Sequence, residues 1–363
     1  MRKLKVTLGI NAAELSRAVE KTERQGAYAD RRKANLTKIR EDRLKGLAAR
    51  KASIESATTL YRSLDSGDQP IVRIRSTFIR LPRPGRPPRD TSRPYAENRD
   101  LDVDTRPPLT KLIHRPSNAL QVMMTAIYLA HLEHKPGEVV TNPRRNNFSE
   151  GWVDLSGLMD RAANSKENNL RVTRALRKLA NARLVTVGPP GQRDRFEGFK
   201  LKRENGKGDK DYKVPGESLM LRQAALLPAE FFYYGWHLVL TPEELATFLV
   251  IVMETQFRAH HPRSVLIGDQ GIGLSRKVRW RDYGLASEAY NSIHELKEFG
   301  LIDLVDPMVG RKGGKVKDPK ALDMRAYRLI WPPSPDATAV PGPAFDVVTN
   351  CLTENPSPPR TDT

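Results

Sequence analysis

One apolar run occurs twice in this sequence in the same register. Leu176-x-x-Leu179 is followed by Leu184-Val185, and Ile293-x-x-Leu296 is followed by Leu301-Ile302, with no gap in either copy. Two apolar residues three apart share one face of a helix, and an apolar pair holding a β-branched residue starts a strand. Each copy therefore pins a helix on a core and turns directly into a strand. The elements around the two runs repeat in the same order, which marks an internal duplication at the level of fold.

The first copy opens at Ser117, an N-cap for a helix to about His134 with Leu120, Met123, Met124, Ile127 and Leu132 on its apolar side. Gly151 to Leu155 alternates like a short strand, and Ser156 to Ala163 reads as a short helix. Asn164-Ser165 breaks the chain before a longer helix, Lys166 to about Arg183, with Leu170, Leu176 and Leu179 facing inward. Leu184 to Val187 and Phe199 to Leu201 then form a hairpin around Gly188-Pro189-Pro190-Gly191.

The second copy starts at Thr241-Pro242-Glu243-Glu244, with an N-cap, proline at N1 and a capping-box glutamate at N3. Ser275 to Tyr283 is a short helix ended by Gly284, and Ser287 caps a helix to Phe299. The strand Leu301 to Val305, a tip at 310–315 and a return at Tyr327 to Trp331 complete it. This order is that of a winged helix-turn-helix. The expected fold class is mainly α with small β wings (α+β), as two winged helix-turn-helix domains in tandem at residues 117–226 and 227–331.

The flanks have another composition. Residues 1–66 are polar, basic and helical, with a thin stripe broken between Val19 and Leu36. They read as a basic helical arm, either solvated or lying along phosphates or a partner helix. Residues 67–116 read as a Pro/Arg-rich linker that tends to polyproline II or disorder, after a short strand near Val72 and Ile74. Residues 332–363 hold eight prolines and read as a disordered tail.

Charge then points to a partner. The chain has 61 Lys and Arg against 43 Asp and Glu, a net charge of +18, which suits a polyanion. No apolar run is long enough to span a membrane, and the basic start lacks the apolar core of a secretion signal. The single cysteine, Cys351, excludes an internal disulfide and a multi-thiolate zinc site. A soluble protein of the cytoplasm, associated with the nucleoid, is expected.

The third helix of the first copy carries Lys166, Asn168, Asn169, Arg171, Arg174, Arg177 and Lys178. In a helix-turn-helix this element enters the major groove, where Asn suits adenine and Arg suits guanine because each can make two bonds to the base edge. A solvated helix face is the alternative. The adjacent wing adds Arg193 and Arg195 for phosphates. In the second copy the third helix is acidic (Glu288, Glu295, Glu298 against Lys297), and the charge moves to Arg276, Lys277, Arg279 and Arg281. Arg311, Lys312 and Lys315 stand at its wing tip. That copy is expected to touch the DNA backbone or to dock a protein partner. The run Arg83-Pro84-Gly85-Arg86-Pro87-Pro88-Arg89 resembles the AT-hook, which implies an arm of Arg83, Arg86 and Arg89 in an A·T-rich minor groove; a plain basic linker has the same composition.

Leu227 to Trp236 is the richest aromatic cluster, suited to packing between the lobes or to stacking unpaired bases. His131 and His134 stand three apart on one helix without a His-Glu-x-x-His motif. No phosphate loop, nucleophile elbow or paired-acid cluster is found, so no catalytic residue, metal or cofactor is expected.

Two winged helices in tandem behind a basic arm resemble, over residues 117–331, the plasmid replication initiators. That resemblance implies binding to repeated origin sites with both lobes, and a first lobe that can also mediate homodimerisation. The function expected is sequence-specific double-stranded DNA binding, as a replication initiator of a plasmid or mobile element or as a transcriptional regulator. The alternatives are a tandem winged-helix interaction or chromosome-partition accessory factor, and an RNA-binding factor.

Overall fold

In the chain order of the computed structural model, the long basic arm is one helix, α1 (Ala12–Leu64), followed by β1 (Ile71–Arg75), α2 (Ser76–Ile79) and α3 (Pro108–Ile113). The first copy comprises α4 (Ala119–Glu133), α5 (Trp152–Leu155), α6 (Ser165–Asn181), β2 (Val185–Thr186) and β3 (Lys200–Leu201). Next come β4 (Ala224–Pro228), α7 (Glu230–Tyr233) and α8 (Trp236–Val239). The second copy holds α9 (Pro242–Ala259), β5 (Ile272–Gly273), α10 (Arg276–Tyr283), α11 (Ser287–Tyr290), α12 (Ile293–Glu298), β6 (Asp303–Val305) and β7 (Arg328–Ile330), and α13 (Ala344–Glu354) follows. The structure describes residues 12–67, 70–81, 106–113, 117–146, 150–160, 163–217, 219, 223–259, 271–306, 327–332 and 340–355, with the backbone alone for 12–33 and 277. The described chain is mainly α with small antiparallel sheets.

In the first copy α4 is buried on every side from Ala119 to His131, as an apolar helix at the centre of a core must be. Its cap lies one residue later than Ser117: Asn118 is the N-cap and makes no side-chain cap bond, while the Ala119 N–H donates to Ser117 Oγ. Residues 152–155 form a helical turn where alternation suggested a strand. Trp152, Val153 and Leu155 are all buried, which one face of a strand would not allow, and Trp152 Nε1 donates to Asn142 Oδ1 at 3.1 Å. The short helix expected from Ser156 is replaced by a turn at 156–157 and irregular chain at 158–160. Antiparallel β2 and β3 pair Val185 with Leu201 and Thr186 with Lys200, and single bridges from Lys202 to Asp211 and Val139 to Lys213 extend the pairing.

In the second copy the capping box forms as its chemistry requires. The Thr241 N–H donates to Glu244 Oε2 at 2.9 Å, and the Glu244 N–H to Thr241 Oγ1 at 3.2 Å. Ser275 caps α10 by accepting from the Val278 N–H. Gly284 ends it at φ +61°, where an added Cβ would lie 3.1 Å from Thr110 Oγ1 and 3.2 Å from Pro107 Cδ. The helix expected from Ser287 to Phe299 divides into α11 and α12 around Asn291-Ser292, and Ala286, not Ser287, takes the N-cap. The sheet order is β5-β7-β6, all antiparallel.

The flanks differ most from expectation. From Arg40 onward α1 is part of the body, with Leu47, Ile54, Ala57 and Tyr61 buried. Residues 70–81 are no linker: β1 pairs with β4 from Ile71↔Pro228 to Arg75↔Ala224. The outward groups at the middle of this ribbon are met by side chains, which protects both edges. The Arg73 N–H donates to His131 Nε2 of α4, while Gln256 of α9 bonds both Leu226 N and Leu226 O at 2.9 Å. The chain leaves the described residues at Leu81, whose N–H donates to Asp282 O. It returns at Arg106, whose guanidinium lies 4.9 Å from the Trp280 ring centroid. Both ends of the Pro/Arg-rich stretch therefore stand on α10.

The expected tail carries α13, because Ala344, Val348 and Leu352 recur at four-residue spacing and bury one face. Trp236 Nε1 donates to Pro341 O just before it. The aromatic cluster joins the copies: Phe232 stacks on Tyr128 of α4 at 4.5 Å, and Phe231 on Phe248 of α9 at 5.1 Å.

Candidate nucleic-acid interface

α6 starts where Asn164 accepts from the Glu167 N–H, and it is strongly two-faced. Val172, Ala175, Leu176 and Leu179 are buried, while Lys166, Leu170, Arg174, Arg177 and Asn181 are exposed. Spacings of three and four residues put the exposed set on a single stripe opposite the buried one. Leu170, expected to face inward, lies on that outer stripe at 39% exposure.

The other polar residues of α6 are used internally. Asn168 is buried and clamps the preceding loop: Nδ2 donates to Asp160 O, and Oδ1 accepts from the Asp160 N–H, each at 3.0 Å. Arg171 donates to Leu158 O at 3.2 Å and pairs with Asp160 Oδ2 at 3.0 Å. Lys178 donates to Leu112 O of α3. Asn169 is half-buried, and its Oδ1 has no hydrogen-bond partner among the described residues. Leu158, Asp160 and Leu112 take up Asn168, Arg171 and Lys178, so residues that share a cationic or amide character in sequence divide between internal partners and solvent.

The hairpin loop after β2 joins the exposed stripe. Its base is closed by the Gly188 N–H to Arg195 O and by Arg195 Nε to Gly188 O, both at 2.8 Å. Phe196 lies between two guanidiniums, with Arg177 of α6 at 5.8 Å and Arg195 at 5.4 Å from the ring centroid. These contacts bring the C-terminal half of the stripe against the loop. Arg193 is exposed at its tip. The result is a surface that carries Lys166, Arg174, Arg177 and Arg193 around one apolar side chain, Leu170, with half-buried Arg195 beside it and the exposed acids Glu167 and Asp194 interspersed.

The second copy presents less. Arg276 is exposed at the start of α10, and the side chain of Lys277 lies outside the described residues. Arg279 is stacked 3.7 Å from the Tyr290 ring centroid, and burial lowers its pKa. Arg281 pairs with Asp282, which also holds Arg80. The acidic edge of α12 is covered from within: Arg40 of α1 pairs with Glu298 at 2.9 Å and Glu295 at 3.8 Å and also donates to Asn355 O. Arg311, Lys312 and Lys315, and the arm residues Arg83, Arg86 and Arg89, lie outside the described residues.

His131 and His237 are buried. His131 Nδ1 donates to Ile127 O at 2.8 Å, which leaves Nε2 as the acceptor for Arg73, and burial lowers its pKa to about 4. Among the described residues no three potential metal ligands cluster. A cleft of about 250 Å³ between α1, α4 and the start of α9 has mostly apolar walls. Its Arg43 holds Glu244, and its Arg50 donates to Gly157 O and Leu238 O. No helix described is long and apolar enough to cross a membrane. Comparison with protein families, curated proteins and solved structures found no match to this chain.

Proposed function

We propose that this chain is a sequence-specific double-stranded DNA-binding protein with two winged helix-turn-helix lobes, in which the first lobe reads the major groove through α6. The observation that carries the reading is the exposed stripe Lys166, Leu170, Arg174 and Arg177, continued by Arg193 and Arg195. A helix with one face in the core and a largely cationic opposite face, followed at once by a hairpin whose loop exposes Arg193, offers base contacts and phosphate contacts side by side. The order α9, β5, α10 to α12, β6 and β7 in the second copy supports the winged-helix reading, and the first copy follows it as α4, α5, α6, β2 and β3 with only the single Val139–Lys213 bridge in place of the strand after its first helix. In the second lobe Arg40 pairs with both acids of α12, Glu295 and Glu298, and the cation at the start of α10 is the group we assign to a backbone contact. The cellular role we assign is replication initiation on a plasmid or mobile element, or transcriptional regulation, by a protein that works at the nucleoid and can pair as a homodimer.

The test compares a duplex selected from random sequence with an unselected one. Arg174→Ala should weaken the selected duplex by about 1–3 kcal/mol more than the unselected one, the worth of a bidentate base contact. Equal losses on both would reduce Arg174 to a phosphate contact and refute base reading by α6. The protein-docking alternative leaned on the acidic α12, whose Glu295 and Glu298 are paired within the chain. The RNA alternative leaned on rings of which Phe231, Phe232 and Trp236 are buried.

A further inference from the structure

α6 holds one exposed apolar side chain. Leu170 is 39% exposed, with exposed Lys166 one turn before it and exposed Arg174 one turn after. The core side of the helix is already filled by Val172, Ala175, Leu176 and Leu179. Helix propensity gives no reason for leucine there, because Lys and Arg form helices about as well and keep a solvent face soluble. Asn168, Arg171 and Lys178 are held by Asp160, Leu158 and Leu112, so they do not compete for the groove. Leu170 lies in the N-terminal half of the helix, the part that meets base edges in a helix-turn-helix. In the major groove only thymine carries an apolar group, its C5-methyl.

We infer that Leu170 reads a thymine by packing on its methyl group, with Lys166 and Arg174 holding the helix in the groove on either side. The inference rests on the DNA-binding reading above and adds to it the base that α6 selects. Thymine specificity here is a packing contact, so it depends on one methyl group and on no hydrogen bond.

The experiment replaces each thymine of the selected duplex in turn by deoxyuridine, which removes the methyl and leaves the pairing edge intact. One position should weaken binding about fourfold, equal to about 0.8 kcal/mol for a single buried carbon. Leu170→Ala should bind the parent duplex about fourfold or more weakly and show no further loss at that position, whereas Leu170→Met should retain the sensitivity. Leu170 is not one of the buried residues of the core, and unchanged thermal unfolding of both variants checks that the fold is kept. A selected duplex whose thymines all tolerate deoxyuridine, or a position equally sensitive in Leu170→Ala, overturns the inference and leaves DNA reading standing. Failure to select any duplex, with equal affinity for all sequences, overturns both.

Discussion

Arg40→Ala tests whether α1 belongs to the body or merely lies beside it. The Arg40 side chain is 6% exposed, donates to Glu298 Oε2 at 2.9 Å and to the carbonyl oxygen of Asn355, and lies 3.8 Å from Glu295 Oε1. Breaking a buried ion pair by removing one partner costs about 3–5 kcal/mol, because the remaining charge is left without compensation. Glu298 and Glu295 retain 19% and 25% exposure, so water takes up part of that cost. The expected loss is about 2–3 kcal/mol, as an order of magnitude. Urea unfolding measures it: with an m-value of about 2 kcal/mol per molar, the midpoint falls by about 1 M. Adding Glu298→Gln to Arg40→Ala should recover part of the loss, since the stranded charge is then gone, and the cycle isolates the coupling. A midpoint shift below about 0.2 M, or single losses that simply add, would refute the fastening of α1 over α12.

Four further outcomes follow from the geometry. His131 and His237 are buried with pKa values lowered to about 4 and about 3, so the unfolded chain binds more protons than the folded one below the ordinary histidine value near 6.5. Their joint effect is stability that falls as pH drops from 7 toward 4, by about 2 kcal/mol per histidine between pH 7 and pH 5, and His131→Gln should flatten that slope in urea titrations; an unchanged slope would refute a buried neutral His131. Gly284→Ala places a Cβ at φ +61° against Thr110 and Pro107, whereas Gly67→Ala, at φ +77° with nothing within 4 Å, meets backbone strain alone. Thermal unfolding should show a loss of about 1–2 kcal/mol for Gly67→Ala and more for Gly284→Ala; equal losses would remove the crowding argument. On the DNA-binding reading, Arg193→Ala should weaken selected and unselected duplexes alike and reduce the slope of log K against log salt by about 1, and a sequence-dependent loss would contradict a pure phosphate contact. Phe196→Ala removes the ring between Arg177 and Arg195 and should raise the dissociation rate from the selected duplex, with no such rise if the ring does not position them.

The repeated apolar run led directly to α6 with β2 and to α12 with β6, and its helix residues Leu176, Leu179, Ile293 and Leu296 are all buried. Local chemistry was equally legible where it was self-contained: Thr241 and Glu244 cap each other within four residues. What depended on distant partners was not. The ribbon of β1 and β4 joins residues 71–75 to 224–228, and no local pattern announces a partner so far along the chain. α1 read as a solvated arm because its inward side is rich in arginine, and Arg40, Arg43 and Arg50 find their acceptors on α12, α9 and two carbonyls supplied by other elements. On α6 the periodicity placed Leu176 and Leu179 correctly in the core and Leu170 wrongly, and it could not divide the polar residues between internal acceptors such as Asp160, Leu158 and Leu112 and solvent. An angular reading would have placed Leu170 with Lys166 and Arg174, since four-residue spacing puts all three on one stripe.

On the DNA-binding reading, these long-range bonds bear on how the two proposed lobes would meet one DNA molecule. α1 is tied to the second copy by Arg40 and Arg43, and to the first by Arg50 on Gly157 O and by the Tyr61 hydroxyl on Leu155 O. The β1–β4 ribbon carries His131 of one copy on one edge and Gln256 of the other on the opposite edge. Phe231 and Phe232 continue the apolar core between α9 and α4. Tandem lobes on a free linker could adapt to many spacings, because the linker absorbs the difference at small entropic cost. Here a change of spacing would have to break the ribbon caps, the aromatic stack and two sets of arginine bonds together. The separation between the α6 stripe and the cation at the start of α10 is therefore fixed by the fold, and a duplex that engages both must present its two contacts at that one separation.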